Sequence, residues 1–243
     1  ANTIVHNIKM ELNNLKELLR KSGVVGAGGA GFPTYAKLDS RADTVILNCA
    51  ECEPLFKVHR QLLKTYAREI VQTLDTITKT LGAKQFIVAV KKEYTKAIKA
   101  VQAEIADYPS GSVFMLGEFY PAGDEVVTIF EATGRRVPAG NIPISVGVIV
   151  FNVETAYNIY KAVTDGTVVT HKFVTVAGEV KNPQTYFVPI GTSFKTLIEM
   201  SGGLTRKDVK LINGGPMTGS IVNEHFFCAL GIGLWKLFHS YRG

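Results

Sequence analysis

The run Gly26-Ala-Gly-Gly-Ala-Gly-Phe-Pro-Thr-Tyr-Ala-Lys37 carries the residue types that hold an anion. Glycines let successive backbone N–H groups turn toward one negative charge with no side chain in the way. Pro33 suits the first turn of a following helix, whose N-terminus adds a favourable dipole, and Lys37 supplies a full positive charge. Together they point to a phosphate. A second group stands at Asn48-Cys-Ala-Glu-Cys-Glu-Pro54. The carbonyl and amide of Asn48 can match the edge of a flavin pyrimidine or its ribityl hydroxyls, and Glu51 and Glu53 add acidic groups beside it. A flexible surface turn would explain an isolated glycine run, and a solvated loop would explain the acidic segment equally well.

The elements around these groups decide which readings survive. Leu12, Leu15, Leu18 and Leu19 recur at helical spacing and Gly23 follows as a cap. A helix rather than a strand therefore precedes the glycine loop, which excludes a dinucleotide-binding βαβ unit. Thr44 to Leu47 reads as a short buried strand ending at Asn48. Asn48, Glu51 and Glu53 then lie where open α/β sheets place their ligands. Leu62, Tyr66, Ile70, Leu74, Ile77 and Leu81 mark one face of a single long helix that stops at Gly82. Strands at Phe86–Val90, Val113–Leu116 and Val146–Val150 alternate with helices at Tyr94–Ile105, Gly123–Thr133 and Val153–Val163. The alternation predicts a layered α/β domain with a mostly parallel sheet. Past Val168 the texture changes: a hairpin over Phe173–Val176 and Tyr186–Pro189, then a helix over Phe194–Met200, predict a smaller α+β domain. The expected domains are residues 1–167 and 168–222, with a tail over 223–243. Within that tail, Phe226 to Phe238 is apolar with a single lysine, read as a partner-facing helix or as a truncated or altered terminus.

Loop and strand together resemble the flavoprotein family that contains the NADH-oxidising subunit of respiratory complex I. The nearer branch is the C subunit of the Rnf complex, with relatives in propanediol utilisation and proline reduction. Gly26 to Lys37 resembles the family's flavin loop and Asn48 to Pro54 its Asn-x-x-Glu-x-Glu-Pro motif. Tyr120-Pro-Ala-Gly-Asp-Glu125 matches a Tyr-x-x-Gly-acidic-Glu motif, and Phe151-Asn-Val-Glu-Thr155 matches the Asn-Val-x-Thr element that closes the flavin site. Four separated motifs in order cover about Gly23 to Val163. The resemblance implies that Gly26, Gly28, Gly29 and Gly31 line the flavin, with Lys37 on its polar edge. It implies that Asn48, Asn152 and Thr155 hydrogen-bond the flavin, and that Glu53, Gly123 and Asp124 belong to the cofactor site. Phe32, Glu51, Tyr120 and Glu125 would shape an adjoining nicotinamide site, Phe32 by stacking, with Glu51 and Glu125 as the catalytic carboxylates. The second domain resembles a soluble-ligand-binding β-grasp domain through Val174 to Pro183, Gly191-Thr192 and Ser201-Gly-Gly203, with structural support as its expected role.

Some positions depart from the family. Ala50 replaces an acidic residue found in many members, as it does in the Rnf-like branch. His59 stands where an acidic residue is usual, and is expected on the exposed face of the long helix. The paired Cys-x-x-Cys-x-x-Cys runs that ligate four-iron clusters are absent, so iron–sulfur clusters are expected only on missing segments or partner subunits. Cys49 and Cys52 form a Cys-x-x-Cys with no second pair, and are read as packing residues rather than a redox pair or half a zinc site; no metal ligands are assigned.

The chain has 243 residues and a net charge of +6, with Lys and Arg scattered rather than clustered, which argues against a nucleic-acid partner. Three cysteines do not make a disulfide framework, and the polar N-terminus shows no signal-peptide pattern, so a cytoplasmic protein is expected. The start at Ala1 rather than Met leaves the natural beginning open. The longest apolar stretch, Phe226 to Leu234, is far below the roughly 20 residues of a membrane span. No catalytic triad, zinc signature or Walker loop appears, and Glu118, Asp124 and Glu125 read as helix-start residues rather than a hydrolytic pair. The expected function is FMN-dependent electron transfer between NAD(H) and an iron–sulfur or other redox partner in a membrane-associated or cytosolic complex. A corrinoid reductase component and a flavin-free scaffold are the alternatives.

Overall fold

Three apolar runs, each closed by a polar residue, become strands of one sheet: β1 (Thr44–Asn48), β2 (Gln85–Lys91) and β4 (Val148–Asn152). The computed structural model describes residues 10–28, 31–51, 53, 55–215 and 219–227, and the backbone of residues 234–239. Contacts divide the chain into two units, one of Ala1–Gly26, Phe32–Cys52 and His59–Val169, the other of Ala27–Gly31, Glu53–Val58 and Thr170–Gly243.

In the first unit β3 (Gly111–Leu116) joins these strands in the order β3-β2-β1-β4, every pair parallel. Parallel strands covered on both faces are apolar almost throughout, as the burial of β1, β2 and β4 shows. The order reverses at β1, because β2 lies on one side of it and β4 on the other. On one face α6 (Glu125–Thr133) contributes Ile129 to a core of Ile46, Ile87, Leu116 and Val150. Helix α4 (Ala67–Leu81) buries Ile70, Leu74 and Ile77 and packs against α5 (Thr95–Ile105) and α7 (Val153–Asp165). It ends at Gly82, whose φ of 69° suits a residue without Cβ. Before the sheet, α1 (Leu12–Lys21) buries Leu15 and Leu19.

The single helix expected from Leu62 to Leu81 is two. Helix α3 (Val58–Thr65) stops at Tyr66, whose φ of −123° and ψ of 35° leave the helical region before α4 begins. The apolar spacing runs through the break because hydrogen bonds persist on both sides, Tyr66 N–H to the Leu62 carbonyl and Ile70 N–H to the Tyr66 carbonyl. The Tyr66 ring packs at 4.6 Å on Tyr157 of α7. Residues Pro143–Val146 form a 3₁₀ turn, so the strand expected from Val146 begins two residues later, at Val148.

In the second unit β5 (His171–Gly178) and β6 (Gln184–Pro189) form the expected antiparallel hairpin, followed by α8 (Phe194–Met200). Strands β7 (Val209–Asn213), β8 (Ser220–Val222) and β9 (Leu234–His239) complete a sheet of order β6-β5-β9-β7-β8. Strand β9 runs parallel to β5 and antiparallel to β7, so among the described residues the unit's first and last strands are central neighbours, a β-grasp arrangement. Phe194, Leu197 and Ile198 of α8 pack on Val174, Val176 and Val188. Of the two readings of Phe226 to Phe238, the partner-facing helix is corrected here: its later part is β9. A short apolar run fits a buried helix or a central strand equally well by periodicity.

Candidate functional site

The carboxyl ends of β1 and β4 flank the point where strand order reverses, and there Asn48 is the register partner of Asn152. Both amides are held. Asn48 Nδ2 donates to the Gly123 carbonyl at 2.8 Å, and its Oδ1 accepts the Ala50 N–H at 3.1 Å. The first bond fixes the turn before α6, so two of the sequence-predicted residues meet. Asn152 caps α7: its Oδ1 accepts the Glu154 N–H at 2.9 Å, while Nδ2 lies 2.6 Å from His59 Nε2. Thr155 is buried in the first turn of α7.

Lys37 ends α2 (Thr34–Lys37), which starts after Pro33. That helix is a single turn, too short to contribute the dipole expected of it. The lysine itself reaches the sheet: Nζ donates to Glu125 Oε1 at 3.0 Å and to the Val150 carbonyl at 3.1 Å. Glu125 opens α6, and Asp124 is its N-cap, accepting the Val126 and Val127 N–H groups at 2.9 and 3.2 Å. The helix expected from Gly123 thus begins at Glu125, with Gly123 and Asp124 as its approach and cap. Gly26 donates its N–H to the Phe32 carbonyl at 2.8 Å, and a Val25–Pro33 bridge closes the base of the glycine loop. Phe32 and Tyr120 are 48 % and 54 % exposed.

The other predicted residues fall elsewhere. Gly28 and Gly31 belong to the second unit, Gly31 with a φ of 63°. Gly29 lies outside the described residues, as do Cys52, Pro54 and Cys228. Glu53 is also in the second unit, where its carboxyl fills the space beside Gly215 that a Cβ would occupy. Cys49 is a buried thiol whose pKa is pushed up by burial, consistent with packing.

Glu51 has the most enclosed carboxyl of the first unit's candidates, its side chain fully buried. Oε1 accepts the His59 N–H at 2.7 Å and Oε2 pairs with Arg60 Nε at 2.7 Å. Burial holds its pKa above the ordinary carboxyl value against the pull of Arg60, the His59 N–H and Tyr94. The Arg60 guanidinium sits 4.4 Å over the Tyr94 ring, and Lys91 Nζ donates to the Glu51 carbonyl at 3.1 Å. Glu51 is therefore built into the wall beside β1.

His59 is corrected from an exposed helix position to a buried one, 7 % exposed, with a pKa lowered to about 4 by burial. As the second residue of α3 it turns inward toward Glu51 and Asn152, a direction that the assumption of one continuous helix obscured. Arg60, Lys91 and Tyr94 were not singled out in the sequence. Lys91 had a signal: it closes an apolar strand as Asn48 and Asn152 do.

An open parallel sheet whose switch point carries two amides, an ammonium and a buried carboxyl belongs to the class of α/β domains that bind ligands outside the carboxyl ends of their strands. Within that class, residues 19–161 match the family described as the Nuo51 FMN-binding domain, and the chain belongs to this family. Residues 173–220 match the SLBB domain. The chain is 44 % identical over 215 residues to cobalamin reductase PduS of Citrobacter freundii, covering 88 % of this chain and 47 % of that protein. It is 36 % identical over 215 residues to the C subunit of the Na(+)-translocating ferredoxin:NAD(+) oxidoreductase complex of Acetobacterium woodii, covering 86 % and 48 %. The chain spans about half the length of the curated relatives it matches. An NAD+-reducing NiFe hydrogenase in its H2-reduced state shares the fold, with a TM-score of 0.80 at 20 % identity over 94 % of this chain and 47 % of that one.

Proposed function

We propose that the chain is an FMN-binding electron-transfer module that passes electrons between NAD(H) and an iron–sulfur or other redox partner. The observation that carries this reading is the pairing of Asn48 and Asn152 at the switch point, with Lys37 bonded to the neighbouring β4 carbonyl. The donor set fits the group. After its two bonds Asn48 retains one N–H and one lone pair, matching the alternating donors and acceptors of a flavin pyrimidine edge. Lys37 offers an ammonium to a carbonyl or phosphate, and Phe32 and Tyr120 offer exposed rings for stacking. The remaining assignments, Gly26, Gly28, Gly29, Gly31, Glu53, Gly123, Asp124 and Thr155, belong to the same proposal.

When bound, FMN supplies the exchange between two-electron hydride chemistry and single-electron steps. This chain's residues orient it. Asn48 and Asn152 fix the polar edge, and Lys37 places positive charge there. Glu51, held by Arg60 and the His59 N–H, fixes the wall beside β1. Glu125, 41 % exposed at its side chain, is the carboxylate that remains accessible to a nicotinamide nucleotide.

Among the described residues no group of three or more His, Cys, Asp or Glu is placed to hold a metal ion, and no helix is long and apolar enough to cross a membrane. We assign the iron–sulfur clusters to other segments or subunits, and the chain to the cytoplasm, reaching a membrane face through partners. Domain limits of 1–167 and 168–222 go with this reading, β9 extending the second unit. The likeness to cobalamin reductases favours a second reading, in which a corrinoid is the electron acceptor.

The test is a visible spectrum of the FMN-reconstituted, desalted chain before and after anaerobic NADH. Retained flavin that bleaches supports the proposal, and subsequent reoxidation by a cob(III)alamin favours the second reading. A folded chain that retains no flavin refutes both.

A further inference from the structure

The contact between His59 and Asn152 has one consistent proton arrangement. The Asn152 oxygen is engaged by the Glu154 N–H, so the atom 2.6 Å from His59 Nε2 is the amide nitrogen, a donor. Nε2 must then be a bare acceptor, with the ring neutral and its proton on Nδ1. Burial of the ring keeps it neutral against a hydrogen bond with the Ala50 backbone that favours the charged form, and the Arg60 charge acts with burial. The His59 backbone N–H meanwhile donates to Glu51, three residues beyond the end of β1. One residue of α3 therefore joins the ends of both strands that flank the switch point, and those ends carry Asn48 and Asn152 in register.

Resting on the flavin reading above, we propose that His59 is a positioning residue of the cofactor site: its neutral imidazole fixes the orientation of the Asn152 amide through the His59 Nε2–Asn152 Nδ2 hydrogen bond. The Asn152 oxygen is thereby kept on the start of α7 and the amide held in one rotamer for the ligand. An apolar replacement leaves an amide N–H facing a side chain that accepts nothing, so the amide turns and α7 loses its cap. Glutamine restores an oxygen acceptor at a reach comparable to Nε2.

The experiment uses the full chain and FMN itself, comparing wild type, His59→Gln and His59→Leu. The FMN Kd is read from fluorescence quenching, the bound flavin from its visible spectrum, and folding from circular dichroism. The flavin-free wild type, labelled with 15N-histidine, reports the tautomer by NMR. His59→Leu is expected to weaken FMN binding about tenfold and shift the bound-flavin spectrum, while His59→Gln stays within about twofold of wild type. The NMR spectrum is expected to show a neutral ring protonated on Nδ1. Wild-type affinity in His59→Leu, a His59→Gln variant as weak as His59→Leu, or a ring protonated on Nε2 overturns the proposal and leaves the flavin reading standing. A wild type that binds no FMN overturns that reading first, and this proposal with it. Should His59→Leu fail to fold, His59→Gln and the tautomer still decide.

Discussion

Replacing His59 with glutamine is expected to remove one component of the protein's acid sensitivity. The folded-state pKa of His59 lies at about 4, against 6.5 for an ordinary histidine. Between these values the unfolded chain binds a proton that the folded protein resists, so stability is complete above 6.5 and falls as pH drops toward about 4. Each pKa unit corresponds to about 1.4 kcal/mol, so His59 accounts for at most about 3 kcal/mol across this window. Protonation also breaks the bond from Asn152 and puts two N–H donors face to face, with Arg60 adjoining. Glu51 acts in the opposite sense, since its raised pKa means the folded state takes up its proton more readily than the unfolded chain. Asp39, Asp43 and Asp165 have lowered pKa values and act below their ordinary 3.8, outside the window. The difference between wild type and His59→Gln cancels these shared contributions. Urea unfolding of the flavin-free proteins, followed by circular dichroism in steps from about pH 7 to about pH 4, measures it. The wild type is expected to lose up to about 3 kcal/mol more than the variant. Parallel stability curves would refute the reasoning, because a ring that charges at no cost is not held as an acceptor.

Lys37→Met is expected to raise the FMN Kd by about tenfold or more, through loss of a charged hydrogen-bond donor. Its effect on urea stability should stay below about 1 kcal/mol, since the Lys37–Glu125 pair is partly exposed. Asp124→Ala should cost about 1 kcal/mol in thermal or urea unfolding, with Asp124→Ser recovering most of it, because the residue caps α6. Gly215→Ala places a Cβ where the Glu53 carboxyl lies and is expected to displace that carboxyl, destabilising by about 1 kcal/mol. In a Glu53→Ala background the same change should cost under about 0.5 kcal/mol, and a double-mutant cycle in urea shows whether the two positions are coupled.

Strand ends were the most legible part of the sequence. An apolar run with a polar residue at its close located β1 and put Asn48 at the sheet's carboxyl edge, whereas Asn152 was reached through the family resemblance, because the fourth strand was expected to stop at Val150 and in fact runs to Asn152. The alternation of strands with helices then made the sheet parallel. The hairpin of β5 and β6 was equally plain, because a Lys-Asn-Pro turn separates two β-rich runs. What escaped was set by tertiary contact. The kink at Tyr66 leaves the periodic pattern intact, and the inward turn of His59 depends on where α3 starts relative to Glu51. Hydrogen-bond partners such as Asn48 with Gly123 join residues 75 positions apart, a relation that no local spacing records. Strand β9 escaped for a related reason: its place between β5 and β7 comes from partners distant in sequence, while its composition fits more than one kind of element.

The position of β9 also dictates an order of assembly during synthesis. A ribosome releasing this chain delivers the β5–β6 hairpin, α8 and the β7–β8 pair while the slot between β5 and β7 is still vacant. Until β9 emerges, two backbone edges are open to any extended segment that can pair with them. Nascent chains stalled before β9, or shortened by proteolysis upstream of it, would present two such edges and recruit one another at those seams. Strand β9 is thus the keystone of the second unit's sheet, which closes only once β9 has emerged rather than piece by piece.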